Sequence, residues 1–338
     1  MKKFVIFMVL CAVAVSFAFA EAQQEQEVYT LRAGHANAPT EDSFYQIQAT
    51  IFKEYVEEYS DGRVLVDIYP SGQLGSDREM IEYVKTGAQD ILLTSLNLIT
   101  DHCPRLDSLM LPFIFDDPEK AVGAVDDLWD YYNDYTKERA DLVLLDLPIV
   151  GYRKIMSIDP IMNLEEARDV KFRLPPSPLF VKTFESLGIN PVTIPWVELF
   201  SAMQLGTVDA FECDPTVLVS ARYNEVVRYI TDIDWTTQVS VMVMSQISLE
   251  KLPADLQEAV LKAGAATRER MKEESNKILQ NCIDLSPDVE FLGRPDDYAE
   301  WVRLGQQVWP DFYERIGDGD AAVGEAAVKK LVDTYKMQ

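Results

Sequence analysis

The residue best suited to chemistry in this sequence is Arg173, near the end of an apolar segment at 170–174 that precedes Pro175. The segment has the pattern of a short strand, and the prolines end it. An arginine at the carboxyl edge of a strand can face a cleft, where its planar guanidinium binds a carboxylate through two parallel hydrogen bonds. An ordinary surface ion pair is the alternative, and position alone leaves both open.

Motifs of known enzyme classes are absent from the sequence. It has no G-x-S-x-G, Gly-rich phosphate loop, G-x-G-x-x-G or H-E-x-x-H segment. Two histidines, His35 and His102, leave little scope for a Ser-His-Asp triad or a zinc site. We therefore expect a protein that is not an enzyme, with no catalytic residues, cofactor or metal. Abundant carboxylates keep one alternative open, an exported hydrolase acting on glycans.

The composition limits the class of partner. The chain has 338 residues, 48% of them hydrophobic, which is enough for two cores of ordinary domain size. Its formal net charge of −25 makes nucleic acid an improbable partner. An anionic ligand would need a locally positive site against this background. We expect no nucleic acid as partner and a monomeric protein.

The N-terminus has the pattern of an export signal. Lys2 and Lys3 precede an apolar run at 4–19, and Ala18-Phe19-Ala20 forms an A-x-A cleavage pattern. We predict a signal peptide over 1–20, cleaved near Ala20, and a periplasmic mature protein. Cys11 leaves a lipid anchor open. The later cysteines are widely spaced and odd in number, so we expect no disulfide framework; they are Cys103, Cys213 and Cys282.

The elements that must position Arg173 follow an alternating order of strands and helices, which favours an α/β fold. In the first half, the predicted elements are a strand at 30–35, a helix at 44–55, strands at 64–68 and 91–93, and between these a helix at 77–85 ended by Gly87. In the second half, they are strands at 170–174, 208–211 and 239–243, with helices ended by Gly188 and Gly206. A helix at 254–280 would be about 40 Å long, enough to span two lobes.

Six segments carry a family resemblance, in order along nearly the whole mature chain. They are YPSGQLGSDREM (69–80), LPFIF (111–115), VKFRLP (170–175), PWVE (195–198), GTVD (206–209) and LPADLQ (252–257). Through them the chain resembles the solute-binding subunits of tripartite ATP-independent periplasmic (TRAP) transporters, of the dicarboxylate-binding type.

The resemblance implies an α/β, two-lobed, periplasmic-binding-protein-like fold that closes as a hinged trap, with a long helix spanning both lobes. One lobe would comprise 27–150 plus about 239–278, and the other 151–238 plus about 279–338. The implied function is capture of an organic acid, such as a uronate or other sugar acid or a C4-dicarboxylate, and its delivery to TRAP membrane permease subunits. A ligand-sensing receptor module of the same fold is a further alternative.

The resemblance also implies ligand-binding residues. Arg173 matches the arginine that pairs with the ligand carboxylate, and Arg153 looks like a second arginine of that pocket. The other positions implied or contained in the matching segments are Trp196, Trp235, Asp77, Ser95, Glu79 and Glu212.

Three positions depart from the family pattern. Cys213 stands where an asparagine often bonds the ligand, and Pro176 replaces another asparagine of some members. Ala36 lacks the amide of sialic-acid binders, which argues against that ligand. We expect Cys213 to be a small buried residue in the ligand pocket. Trp196 and Trp235 either stack on the ligand or pack in the core, and the sequence leaves both open.

Overall fold

The structure is a computed structural model that describes residues 27–335. The predicted signal peptide, its cleavage near Ala20 and the lipid-anchor alternative at Cys11 lie outside these residues. The strands are β1 (Tyr29–Gly34), β2 (Val64–Tyr69), β3 (Ile91–Ser95), β4 (Leu142–Asp146), β5 (Ile149–Tyr152), β6 (Lys154–Ser157), β7 (Phe172–Leu174), β8 (Val192–Thr193), β9 (Ala210–Cys213), β10 (Tyr229–Thr231), β11 (Thr237–Ser245) and β12 (Glu290–Gly293).

Helices alternate with these strands. They are α1 (Phe44–Tyr59), α2 (Asp77–Thr86), α3 (Pro118–Asp127), α4 (Trp129–Ala140), α5 (Leu164–Asp169), α6 (Pro178–Ser186), α7 (Trp196–Gln204), α8 (Val217–Ser220), α9 (Gln246–Glu250), α10 (Ala254–Asp284), α11 (Tyr298–Gln306), α12 (Trp309–Ile316) and α13 (Ala321–Thr334). Short 3-10 segments occur at Leu96–Leu98, Pro104–Leu109 and Tyr223–Glu225.

The strands form two mixed sheets. The first has the order β2-β1-β3-β11-β4, with β5 also paired to β11, and the second has the order β12-β10-β6-β9-β7-β8. We call the first sheet with its helices the first lobe, and the second sheet with its helices the second lobe. β1, β2 and β3 are mutually parallel, as are β7, β8 and β9, so each lobe has a set of strands whose carboxyl ends meet at one edge.

The chain passes between the sheets at three places. β5 of the first sheet is followed directly by β6 of the second, with Arg153 between them. The segment 232–236 leads back from β10 to β11, and α10 then leads to β12. Trp235, fully buried in the second crossing, packs edge-on against Phe180 and Phe184 of α6, so the crossing is part of the hydrophobic core. The lobe boundaries given above stay predictions.

The predicted helix ends are confirmed where glycine was expected to stop the helix. Gly87 follows α2 with φ 69° and Gly206 lies just after α7 with φ 66°, which is left-handed backbone that glycine adopts without steric cost. Ser76 begins α2 through a capping box in which its N–H donates to Glu79 Oε2 at 2.8 Å. α2 is thereby fixed at both ends, and its first residue, Asp77, is held in place.

The long helix predicted at 254–280 is confirmed as α10, which has 31 residues and is about 46 Å long. It packs against α1, β4 and β5 of the first lobe and against α8 of the second. Close approach to β4 depends on Gly264, because a Cβ there would lie 3.0 Å from the carbonyl oxygen of Leu145. The helix therefore connects the lobes and fits the first sheet closely.

We expect Gly264→Val to lower the free energy of unfolding by about 1–3 kcal/mol, because the backbone of Leu145 cannot move away from the added atoms. Valine has the higher helix propensity, so propensity alone would predict the opposite sign. Ala265→Val is the control, since Ala265 is exposed on the same helix. Urea unfolding measures both variants, and a Gly264→Val protein as stable as the parent would contradict this packing.

Asp146, at the end of β4, is a fully buried carboxyl group. Gln48 Nε2 donates to its Oδ2 at 2.9 Å, while Oδ1 has no hydrogen-bond partner in the described part of the chain. Burial raises the pKa of Asp146 to about 7, against the opposing effects of Gln48 and Arg268. At acidic pH the folded protein therefore holds a proton that the unfolded chain releases near pH 4.

Between pH 4 and pH 7 the folded state binds more protons than the unfolded state, so Asp146 makes stability fall as pH rises through this window. Above pH 7 its contribution is constant. We expect Asp146→Asn to remove this fall, which amounts to about 1.4 kcal/mol per unit of pKa shift. Urea unfolding at pH 5 and pH 8 measures the difference, and an equal stability gap between parent and variant at both pH values would refute it.

Candidate functional site

A cavity of about 600 Å³ lies between the two lobes. The second lobe contributes Arg173 from β7, and Cys213 and Asp214 from the carboxyl end of β9. The first lobe contributes Thr94 and Ser95 from the carboxyl end of β3, and residues from the start of α2. Both edges are those at which α/β sheets commonly bind ligands.

Arg173 is a buried guanidinium, with 2% of its surface exposed. Its Nε and Nη2 donate to the carbonyl oxygen of Ile194 at 2.8 and 2.6 Å, and no carboxylate of residues 27–335 lies within 4 Å of it. Burial lowers the pKa of Arg173 to about 10, although Glu212 opposes this. The side chain is thus still charged at neutral pH, faces the cavity and lacks a bonded counter-ion.

Arg153 also borders the cavity, but its charge is balanced. Its Nε donates to Glu212 Oε2, and its Nη2 donates to Glu212 Oε1 at 2.8 Å and to the Glu212 carbonyl oxygen at 3.1 Å. Burial opposes the charged form, but the Glu212 carboxylate outweighs it and raises the pKa of Arg153. Its Nη1 donates to Gln238, whose Nε2 donates to Ser95 Oγ at 3.3 Å. This network links the second lobe to the first at the crossing between them.

Three of the residues predicted from the sequence are not among those that line the cavity. Glu212 is fully buried and engaged by Arg153. Trp235 is buried among core aromatics, and its Nε1 donates to Glu212 Oε2 at 3.2 Å. Glu79 is exposed and caps α2. The structure places them behind or beside the site, where Glu212 and Trp235 hold Arg153 in position.

The first-lobe wall presents hydrogen-bonding groups. Thr94 Oγ1 donates to Asp77 Oδ1 at 2.7 Å, and burial raises the pKa of Asp77 against this bond. Ser95 Oγ donates to Asn97 Oδ1 at 2.5 Å, which leaves the buried Asn97 Nδ2 without a partner in the described chain. Burial, together with Asp77 and Asp214, raises the pKa of the Tyr45 phenol. The wall thus offers both donors and acceptors.

The second-lobe wall combines an aromatic ring, a thiol and a carboxylate. Trp196, the first residue of α7, is half-buried and lines the cavity with its ring 5.2 Å from that of Tyr223. Cys213 is buried, and burial raises the pKa of its thiol, so it is a neutral small side chain. Asp214 accepts hydrogen bonds from the backbone N–H of Thr216 at 3.0 Å and from its hydroxyl.

The sequence reasoning missed several residues of the cavity. They are Tyr45, Asn97, Asp214 and Gln238. Asp214 follows Cys213 directly, so its position beside a predicted ligand residue was a usable signal. The others come from segments that meet the site only through tertiary contacts.

The two lobes also approach each other beside the cavity. A Cβ placed on Gly72, in the loop after β2, would lie 3.7 Å from Cγ1 of Val197 on α7.

Among residues 27–335 no three His, Cys, Asp or Glu side chains are grouped so as to hold a metal ion. No helix within this range combines the length and apolarity that a bilayer span requires.

Comparison with known proteins finds similar sequences along most of the chain. A family model described as bacterial extracellular solute-binding protein, family 7, matches residues 34–316. A C4-dicarboxylate-binding periplasmic protein of Shewanella loihica is 27% identical over 303 residues, which cover 85% of this chain and 90% of that protein.

Two solved structures of TRAP periplasmic solute-binding proteins superpose on most of the chain. That of Sulfurospirillum deleyianum, with bound succinate, has a TM-score of 0.80 and 26% identity, and covers 90% of this chain and 98% of its own. That of a Bradyrhizobium species, in complex with galacturonate, has a TM-score of 0.82 and 25% identity, and covers 90% and 99%. The fold class predicted from the sequence is confirmed.

The Arg153–Glu212 pair yields a test by double-mutant cycle. We expect Arg153→Met and Glu212→Leu each to lower the free energy of unfolding by about 3–5 kcal/mol, because each leaves a buried charge unpaired. The double variant replaces both charges by apolar groups and should lose much less than the sum. Urea unfolding of the four proteins measures the coupling, and strictly additive losses would contradict a buried pair.

Proposed function

The chain belongs to the bacterial extracellular solute-binding proteins of family 7, and from this premise we propose that it captures an organic acid and delivers it to a TRAP membrane permease. The resemblance to TRAP solute-binding subunits is confirmed by this match. The family consists of extracellular solute-binding proteins rather than enzymes. Removal of a signal peptide near Ala20 and release into the periplasm belong to the same proposal.

The observation that carries the proposal is the uncompensated charge of Arg173. A buried cation without a counter-ion is costly, and a carboxylate that forms parallel hydrogen bonds with a guanidinium removes that cost. Arg173 faces a cavity large enough for a small organic acid, and its Nη2 and Nε are already held by Ile194. The guanidinium is therefore fixed in orientation before the ligand arrives.

Apart from Arg78, which lines the cavity but is exposed, the remaining polar groups favour a hydroxylated monocarboxylate over a dicarboxylate. Asp77 and Asp214 would repel a second carboxylate but can accept hydrogen bonds from hydroxyl groups. The unpartnered Nδ2 of Asn97 can donate to a hydroxyl oxygen. Arg153 offers no free charge, because Glu212 balances it. We propose an aldonate or uronate as the solute, with Trp196 beside its carbon chain or ring.

Ligand capture follows from the placement of these groups on two lobes. The carboxylate binds Arg173 of the second lobe, and the hydroxyl groups reach Asp77 and Asn97 of the first. Bonds to both lobes exist only in the closed form, so the ligand stabilises closure by its difference in affinity for the two forms. Closure removes water and strengthens the ion pair. The crossing at Arg153 lies where the lobes turn relative to each other.

A thermal-shift screen tests the solute class. We expect galacturonate and gluconate to raise the melting temperature more than succinate does at equal concentration and ionic strength. A ligand at one hundred times its dissociation constant stabilises the protein by about 2.7 kcal/mol. Stabilisation by succinate alone would contradict the preference for hydroxylated acids, and no response to any organic acid would contradict the function.

The role of Arg173 is tested by Arg173→Met. We expect affinity for the best acid of the screen to fall at least about 30-fold, because a buried charge pair loses one partner. The unliganded protein should lose little stability, since this arginine has no counter-ion to leave behind, whereas Arg153→Met should be strongly destabilised. Arg222→Met, at an exposed arginine paired with Glu225, is the control for calorimetry. Unchanged affinity in Arg173→Met would exclude this carboxylate site.

A further inference from the structure

A second cavity, of about 110 Å³, lies behind the crossing between the lobes. Its apolar walls include Leu147 and Ile149 at the β4–β5 corner, Val122 of α3 and Leu279 of α10. Arg268 of α10 also lines it. The cavity is separate from the solute cavity, with which it shares none of its lining residues.

Arg268 lacks a bonded counter-ion. Within residues 27–335 it takes part in no hydrogen bond and has no carboxylate within 4 Å, and its buried Nε is without a partner. Its guanidinium carbon lies 3.7 Å from the centre of the Trp129 ring, which holds it on one side through a cation–π contact. Arg268 resembles Arg173 in lacking a bonded carboxylate, but it is only partly buried, whereas Arg173 is almost completely buried.

The other charged groups near Arg268 do not provide it with a bonded counter-ion. Lys272 is bonded to Asp126 at 2.7 Å and to Glu269 at 3.0 Å, so this cation and the Asp126 carboxylate are mutually engaged. Glu119 is exposed at the rim. Asp146 interacts with Arg268 electrostatically but is not within ion-pair distance of it.

We propose that this cavity binds a small inorganic anion of the chloride type beside Arg268, and that its occupancy is coupled to closure of the cleft. The volume accommodates an ion with a few waters. Most of the walls are apolar, so they would leave the hydroxyl groups of a sugar acid without partners, whereas a spherical anion needs only the guanidinium donors and contact with the walls.

Coupling follows from the position of the walls. The segment 147–151 runs directly into the crossing at Arg153, and Gly151, with φ 111°, lies against Leu279 of α10. The part of α10 that carries Leu279 also contacts the second lobe, where Cys282 Sγ lies 3.2 Å from the carbonyl oxygen of Thr216. Rotation of the lobes would therefore shift Leu279 against the β4–β5 corner, so that the open and closed forms bind the anion with different affinity. By linkage the anion then changes the affinity for the solute by the same factor. This second part rests on the proposed function, and the anion site itself does not.

Crystals soaked in bromide test the site directly. We expect an anomalous peak beside Arg268 in the parent protein and in Arg270→Gln, and none there in Arg268→Gln. Arg270 is the matched control, since it lies two residues further along the same helix, is exposed and pairs with Glu54 at 2.9 Å. Peaks confined to the outer surface, or a peak that persists in Arg268→Gln, would overturn the site.

Coupling is tested by calorimetry with the best acid of the screen, in chloride and in bulky isethionate at equal ionic strength. We expect the dissociation constants in the two salts to differ about fivefold or more in the parent and in Arg270→Gln, and to be equal in Arg268→Gln. Equal constants in the parent would overturn the coupling even if the bromide peak is present. Absence of acid binding in both salts would instead count against the proposed function, and the bromide result would stand apart from it.

Discussion

The constraint on which this structure depends is that a buried guanidinium requires a counter-charge. Arg153 and Arg173 border one cavity and are both almost fully buried, yet only Arg153 has a carboxylate partner in the described chain. The Arg153–Glu212 pair is complete within the folded protein, and removal of either partner would leave a buried charge unpaired. Arg173 is held in place by a carbonyl oxygen and keeps its charge uncompensated, which is the basis of the proposed anion binding. The two neighbouring arginines thus differ in whether the protein itself supplies the counter-charge.

The two lobes supply the site in the same way. In the first, helix α2 ends at Gly87 and leads to β3, and in the second, helix α7 ends at Gly206 and leads to β9. Each unit brings the first residue of its helix, Asp77 or Trp196, to the cavity together with the carboxyl end of its strand. The helix start and the strand end are adjacent because the intervening turn reverses the chain. A ligand in the cavity would therefore meet rigid elements from both sides.

The order of strands and helices could be predicted from sequence because its signals are local, whereas the two-lobed arrangement and the role of Arg173 were implied by the family resemblance. Alternating apolar residues, capping groups and glycines mark strands and helix ends within a few positions, and Arg173 stands at a strand end before prolines. Trp235 could not be assigned, since its packing against Phe180 depends on a contact 55 positions away. The partner of Arg153 is likewise 59 residues distant, so its charge could be counted from the sequence but its neutralisation could not.

The position of the Arg153 network explains how one pair can serve both lobes. Arg153 occupies the single residue between β5 of the first sheet and β6 of the second, and its carboxylate partner lies on β9. Through Gln238 the same guanidinium reaches Ser95 at the end of β3, on the opposite wall of the cavity. Gln238 lies on β11, so its bond to Ser95 is within the first sheet, and the bond from Arg153 to Gln238 is the one that joins the ion pair to the first lobe. A single bond from a guanidinium to a neutral amide is weaker than the two-pronged ion pair, so it is the contact that a rotation of the lobes about the crossing would change first.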